Sequence, residues 1–150
     1  AVDIDGEHYW DGGYMGNPPL GPLTEHTEGT DDILLVEVNP FVIKKVPENI
    51  EEIKDRVNEI SFNSSLALEI QHMEFVNNLV DKGITLDGKL KKINLHRVSS
   101  NNSLGDFNLS SKLNTDWDFL MHLKNLGYNA CGAWLDANYN NIGKKSTFHL

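Results

Sequence analysis

A lone cysteine, Cys131, rules out any disulfide within the chain and gives no support to an oxidising compartment. Its own environment reads as that of an ordinary small packed or helix-surface residue. Long apolar runs are missing too. The longest, residues 33–36 (ILLV), is the size of a strand, against the ~20 residues a membrane-spanning helix requires. Basic residues are scarce, 13 Lys and Arg against 22 Asp and Glu, for a formal charge of −9. That balance excludes a nucleic-acid partner, whose phosphates must be neutralised by Lys and Arg, and it disfavours electrostatic attachment to anionic lipid. Weak contact with a membrane surface through apolar groups stays open, so the expected location is cytoplasmic, at most peripheral at a membrane. There is no H-E-x-x-H and no Cys-x-x-Cys, so no zinc or other metal site is expected, and no cofactor. Neither a signal peptide nor an initiator methionine opens the chain. Residues 1–5 (AVDID) read as the interior of a strand, hence the expectation that the chain begins within a larger fold.

What is there suits one folded domain over residues 1–150: 39% hydrophobic, 23% charged and a mean hydropathy of −0.39 exclude wholesale disorder. Residues 1–10 read as a hairpin with Asp5-Gly6 at its turn, followed by loop as far as Pro22. Residues 32–39 (DILLVEVN) have the near-continuous apolar pattern of a strand buried on both faces, closed by Pro40. A central sheet covered by helices is therefore expected. Asn49 and Glu52 form a capping-box pattern opening a helix whose stripe runs Ile50, Ile53, Val57, Ile60. The stripe continues through Leu66, Ile70 and Met73 to a stop at Gly83, with a bend expected near residues 62–65. Residues 92–98 (KINLHRV) alternate as a second strand, and an Asn- and Ser-rich loop follows to Ser111. A helix beginning at Asn114 or Thr115 is expected to stop at Gly127, and a last helical segment to run over residues 130–141 before Gly143. Asn-x-Ser sequons at Asn63, Asn101 and Asn108 read as chance matches, the first of them inside a helix.

The densest unusual stretch is residues 9–19, YWDGGYMGNPP. Asp11 stands where a strand becomes a Gly-rich turn. A carboxylate there is presented at the strand's end, and two glycines allow a second loop to approach closely. Asp11 can equally serve its own backbone as a turn cap. The residues alone leave both roles open.

WDGGYMGNPP is similar to the aspartate motif of the patatin-like phospholipases. The later stretches ISFNSSL (60–66), SSKLNTDWDFL (110–120) and GKKSTFHL (143–150) resemble segments of a bacterial subgroup of that family, so the likeness covers essentially the whole chain. The resemblance implies the carboxyl-terminal portion of a three-layer α/β/α fold, a mixed sheet flanked by helices. It implies a lipid acyl hydrolase with a Ser-Asp dyad, in which Asp11 is the acidic member, Gly12 and Gly13 shape its turn, and Asn17-Pro18 is the following Asn-Pro pair. In that mechanism a serine on a G-x-S-x-G elbow attacks the ester of a lipid, and backbone N–H groups hold the oxyanion. None of the nine serines here has glycine at both −2 and +2; Ser103 comes nearest, with Gly105 after it. The nucleophile and oxyanion loop are therefore expected on an upstream segment. The isolated chain is expected to be inactive, and to bind its other half or form a homo-oligomer through exposed sheet edges. The alternative is a non-catalytic binding or partner module derived from a truncated chain of this kind.

Other constellations carry less. Asp3-Ile4-Asp5-Gly6 places its glycine wrongly for a calcium loop and suits a turn. Glu69 and His72 have Glu-x-x-His spacing, but a di-iron bundle needs two such pairs. His8 is expected on the face of its strand opposite Asp11, and Trp117, Phe119 and Trp134 read as core rather than as the lining of an acyl pocket.

Overall fold

The computed structural model describes residues 1–25, 31–43, 45–99, 107, 111 and 113–150. Asp5 and Gly6 take positive φ, 55° and 88°, the backbone that closes a tight hairpin. They join β1 (Val2–Ile4) to β2 (Glu7–Tyr9), antiparallel with Val2 opposite Tyr9, as the sequence suggests. The stretch expected to be loop contains two ordered pieces. Gly12–Tyr14 form a 3-10 turn, and α1 (Gly21–Glu25) begins before Pro22. Proline is tolerated there because first-turn N–H groups have no helical acceptor.

β3 (Asp32–Glu37) and β4 (Asn94–Ser99) pair in parallel, with Asp32 opposite Asn94 and Glu37 opposite Ser99. β3 ends two residues earlier than expected, in a bend at Val38 and Asn39 before Pro40. Its burial is also one-sided. Ile33 and Leu35 are buried, while Leu34 and Val36 remain 51% and 72% exposed, which corrects the expectation of burial on both faces.

α2 (Ile50–Asp81) is a single 32-residue helix. The Asn49 side chain accepts from the Glu52 N–H at 3.0 Å, and the Glu52 carboxylate turns back to accept from the Glu48 N–H at 2.8 Å. The helix is not interrupted at residues 62–65. Ser61 and Ser64 donate to the carbonyls of Val57 (2.8 Å) and Ser61 (3.0 Å), and Asn63 donates outward to the Pro40 carbonyl (3.1 Å). The polar run is thus absorbed without breaking the ladder. A second correction concerns the stripe. Ile50, Ile53, Val57 and Ile60 are exposed, and the buried positions are Leu66, Ile70 and Met73. Length explains it: 32 helical residues span about 48 Å, whereas a six-residue strand covers about 20 Å. Only half of the helix can lie on the sheet.

α3 (Trp117–Asn138) runs through Gly127, where a stop was expected, and takes in most of the segment assigned to residues 130–141. One interior glycine costs a helix about 1 kcal/mol relative to alanine, too little to end one that has 22 residues. Asp116, rather than Asn114 or Thr115, is the cap, its side chain accepting from the Phe119 N–H at 3.1 Å. A 3-10 turn (Tyr139–Asn141) and Gly143, with φ 74°, finish it.

The core lies on one face of the sheet, where Leu66, Ile70 and Met73 of α2 meet Ile33, Leu35 and Leu95. α3 stands on the other face, with the Trp134 ring edge-on to His96 at 5.7 Å. The described residues thus form a mixed α/β arrangement in which a two-stranded sheet lies between helices. Among the described residues, no helix is long and apolar enough to cross a membrane.

Candidate active site

The hairpin delivers Asp11 to the start of the 3-10 turn. Its Oδ1 accepts from the Gly13 N–H at 2.8 Å, and its carbonyl accepts from Tyr14 at 3.2 Å. The capping role is therefore real. Asp11 is nevertheless exposed, and among the described residues Oδ2 has no partner, so the same carboxylate keeps one oxygen for another group.

Gly13 is where the turn meets α2. A Cβ built there would lie 2.8 Å from Phe62 Cε1, closer than real side chains come, and 3.1 Å from Asp11 Oδ1, a tight contact. Tyr14 packs on the same Phe62 ring at 5.0 Å, and Trp10 meets Tyr14 edge-on at 6.1 Å. Gly12 has open space around it. The Asn17-Pro18 bond is cis, and both residues are exposed. Beyond it Leu20 is buried, and the Glu69 carboxylate accepts from the N–H groups of Leu20 and Gly21. Glu69 thus ties the end of the motif to α2. Its spacing to the exposed His72 suggested a metal-ligand pattern and gave no hint of this main-chain role.

A cleft of about 680 Å³ opens between α3 and the exposed face of the sheet. Tyr14, Phe62 and Phe119 line it together with Leu34, Val36 and Leu123. The structure brings to it one or more residues from each of three separate stretches: Tyr14 from residues 9–19, Phe62 from 60–66, and Ser111 and Phe119 from 110–120. Phe119 is therefore a wall of the cleft rather than simply core, while Trp117 is 71% exposed. Cys131, further along α3, also lines the cleft and is exposed. His8 takes no part. It sits opposite Asp3 on the hairpin, 3.4 Å from that carboxylate.

The described serines are placed as follows. Ser61 and Ser64 bond back along α2, Ser99 donates to Glu37 at 3.1 Å, and Ser146 accepts from the Leu95 N–H at 3.0 Å. Ser65 Oγ is buried with no hydrogen-bond partner among the described residues, and Ser111 lines the cleft. Ser100, Ser103 and Ser110, like the sequons at Asn101 and Asn108, lie outside the described residues.

A second polar cluster went unread in the sequence. His96, 1% exposed, holds Asp32 Oδ1 through Nε2 at 2.8 Å and the Thr147 hydroxyl through Nδ1 at 2.9 Å. Asp32 Oδ1 also accepts from the Gly143 N–H at 2.8 Å. Because a carboxylate only accepts, Nε2 carries the proton of this pair. The backbone amides of Thr147 and Phe148 bond the Leu95 carbonyl, at 2.9 and 3.1 Å, so neither is left to hold an oxyanion. The cluster fastens the end of the chain to the sheet.

The chain matches no protein-family model, no curated protein and no solved structure.

Proposed function

We propose that this chain supplies the acidic half of a lipid acyl hydrolase, with Asp11 as the partner of a serine carried on polypeptide outside these 150 residues. The observation that carries the reading is the cleft. The motif turn, the middle of α2 and the start of α3, which hold residues from three of the four stretches similar to patatin-like phospholipases, line one largely apolar cleft of about 680 Å³, a size suited to an acyl chain. Asp11 stands three residues from Tyr14 of that lining, with Oδ2 unengaged among the described residues. In this reading the aspartate takes up the serine proton as the ester carbonyl is attacked, Gly13 lets the turn seat on Phe62, and Gly12 and Asn17-Pro18 complete the loop.

The test is hydrolysis of a short-chain ester by the complete protein and its Asp11→Asn variant. The amide keeps the cap on Gly13 but cannot take a proton, so turnover is expected to fall about 10⁴-fold, as when the triad carboxylate of a serine protease is replaced. Near wild-type turnover would end this assignment. The cap itself favours a second reading, a non-catalytic module in which Asp11 only shapes the turn. That reading predicts that no polypeptide bearing G-x-S-x-G is encoded upstream of the chain or co-purifies with it.

A further inference from the structure

The connection from α2 to β4 contains the longest run of positive φ among the described residues: Leu86, Asp87 and Gly88, at 48°, 57° and 82°. Left-handed backbone brings Cβ toward the following carbonyl oxygen, a cost that glycine escapes and that leucine and aspartate bear. Two hydrogen bonds close the turn. Leu86 C=O accepts from the Lys89 N–H at 3.2 Å, and Thr85 C=O from the Leu90 N–H at 2.9 Å. Residues 83–89 are all exposed, so no packing over-determines the turn. Among the described residues neither the Asp87 carboxylate nor the peptide unit joining it to Gly88 has a hydrogen-bond partner. A Cβ at Gly88 would meet nothing within 4 Å.

An aspartate followed by glycine holds an electrophile and a nucleophile side by side. The carboxyl carbon Cγ and the next backbone nitrogen close a five-membered ring, and glycine puts no side chain in the way. The sequence has three such steps, Asp5-Gly6, Asp11-Gly12 and Asp87-Gly88. Their intrinsic chemistry is the same, so their surroundings rank them. At Asp11, Oδ1 accepts from the Gly13 N–H at 2.8 Å, and the carbonyl of the peptide unit that would be attacked from accepts from Tyr14 at 3.2 Å. Both reacting groups are thus held. At Asp5, the Gly6 N–H donates to Asp3 Oδ1 at 3.3 Å, and a carboxylate at that distance opposes loss of the amide proton. At Asp87 nothing restrains either group, and the ammonium of Lys89, next after Gly88, favours the amide anion.

We propose that Asp87-Gly88 is a site of spontaneous aspartate isomerisation in the folded chain, while the fold protects Asp11-Gly12. The Gly88 nitrogen, having lost its proton, attacks Cγ of Asp87. The N–Cγ bond forms, and one carboxyl oxygen leaves with two protons as water, which gives a cyclic imide. Water then adds at the main-chain carbonyl of Asp87 and breaks its bond to the Gly88 nitrogen. The chain thereafter runs through Cβ and Cγ, and the former main-chain carbonyl becomes the free carboxylate. Addition at Cγ instead restores aspartate. One water leaves and one returns, with no oxidation or reduction. The added backbone carbon releases residue 87 from its left-handed geometry, so the folded turn favours the product. This holds whatever the role of Asp11, and ester hydrolysis plays no part in its test.

The test is to age the 150-residue chain at neutral pH in heavy-oxygen water, folded and in guanidinium chloride, and to map its peptides by mass spectrometry. Trypsin releases residues 83–89 as one peptide in which Asp87 is the sole acidic side chain. The isomer elutes apart from the parent peptide, carries one heavy oxygen from ring opening, and is identified by electron-transfer fragmentation. In the folded chain it is expected to accumulate first at Asp87, at least as fast as in denaturant. At Asp11 the folded rate is expected to fall about fivefold or more below its own denatured rate, because the bond to Gly13 must open first. Asp87→Glu is expected to leave residues 83–89 unchanged, since glutamate would need a six-membered ring. Should that variant misfold, the rates at the three sites of the unmodified chain decide alone. The proposal is overturned if residues 83–89 stay unmodified in the folded chain, or if folding slows Asp87 as much as Asp11. It is equally overturned if Asp5 or Asp11 isomerises faster than Asp87 in the folded chain, or if the isomer carries no heavy oxygen.

Discussion

Asp32 shows how one carboxylate can be stabilised against its surroundings. Burial alone pushes its pKa up, but hydrogen bonds from His96, the Gly143 amide and Asn94, together with the charge of His96, outweigh that effect and hold it below the ordinary value of 3.8. The folded pKa is thus lower than the unfolded one. The stabilisation is complete above the unfolded value and is lost as pH falls through the folded one. Urea unfolding is therefore expected to show stability declining below about pH 4, with a shallower decline in Asp32→Asn. At neutral pH that variant is expected to cost about 1–3 kcal/mol, because it removes the charged acceptor from His96 and Gly143. An unchanged acid limb in the variant would show that other carboxylates govern it. Gly13 is a residue-scale test of a different kind. Gly13→Ala drives a methyl group into Phe62 and toward Asp11, and is expected to destabilise by about 1–2 kcal/mol. Added to Phe62→Ala, the same change is expected to cost much less, and a double-mutant cycle of the four proteins measures the difference.

At the scale of elements, α3 departs most from what its sequence announces. Gly127 lies inside the helix with open space around the position of a Cβ, and Gly132 does too. Replacing either by alanine is expected to stabilise the chain by about 0.5–1 kcal/mol, read as a rise in thermal midpoint without change in helix boundaries. A fall would mean that one of these glycines is contacted by polypeptide or ligand beyond the described residues. What could be read from the sequence was local. Asp5-Gly6 names its own turn, Asn49 and Glu52 name their own cap, and the run of residues 32–37 names a strand, because neighbours in sequence settle each of them. What could not be read depends on distant partners. His96 finds Asp32 across 64 positions and Thr147 across 51, and Glu69 finds Leu20 across 49. Periodicity put the buried Leu66, Ile70 and Met73 on the apolar stripe of α2, but could not say that Ile50, Ile53, Val57 and Ile60 would be left exposed. The candidate site divides in the same way. Asp11 and Gly13 stand out in the sequence by type and spacing, while the cleft formed by Tyr14, Phe62 and Phe119 exists only after folding.

Across the whole molecule, much apolar surface is left in water. Ile50 (72%), Val57 (57%) and Ile60 (52%) are exposed along α2, Val36 (72%) on the sheet and Trp117 (71%) at the start of α3. Exposed apolar surface favours association, while a charge of −9 on every copy opposes it. The two effects separate when apolar area changes at constant charge. The double variant Ile53→Gln, Val57→Gln removes two exposed side chains from the α2 stripe and leaves the charge untouched. Glutamine forms helix at least as readily as isoleucine or valine, so unfolding free energy is expected to stay within about 0.5 kcal/mol of the parent. Binding of an apolar dye, and any oligomer seen by sedimentation velocity, are expected to fall together. A loss of 2 kcal/mol or more would mean that the stripe is packed in solution, with α2 covered along its full length. Reduced dye binding with oligomers unchanged would place self-association on a surface other than this stripe.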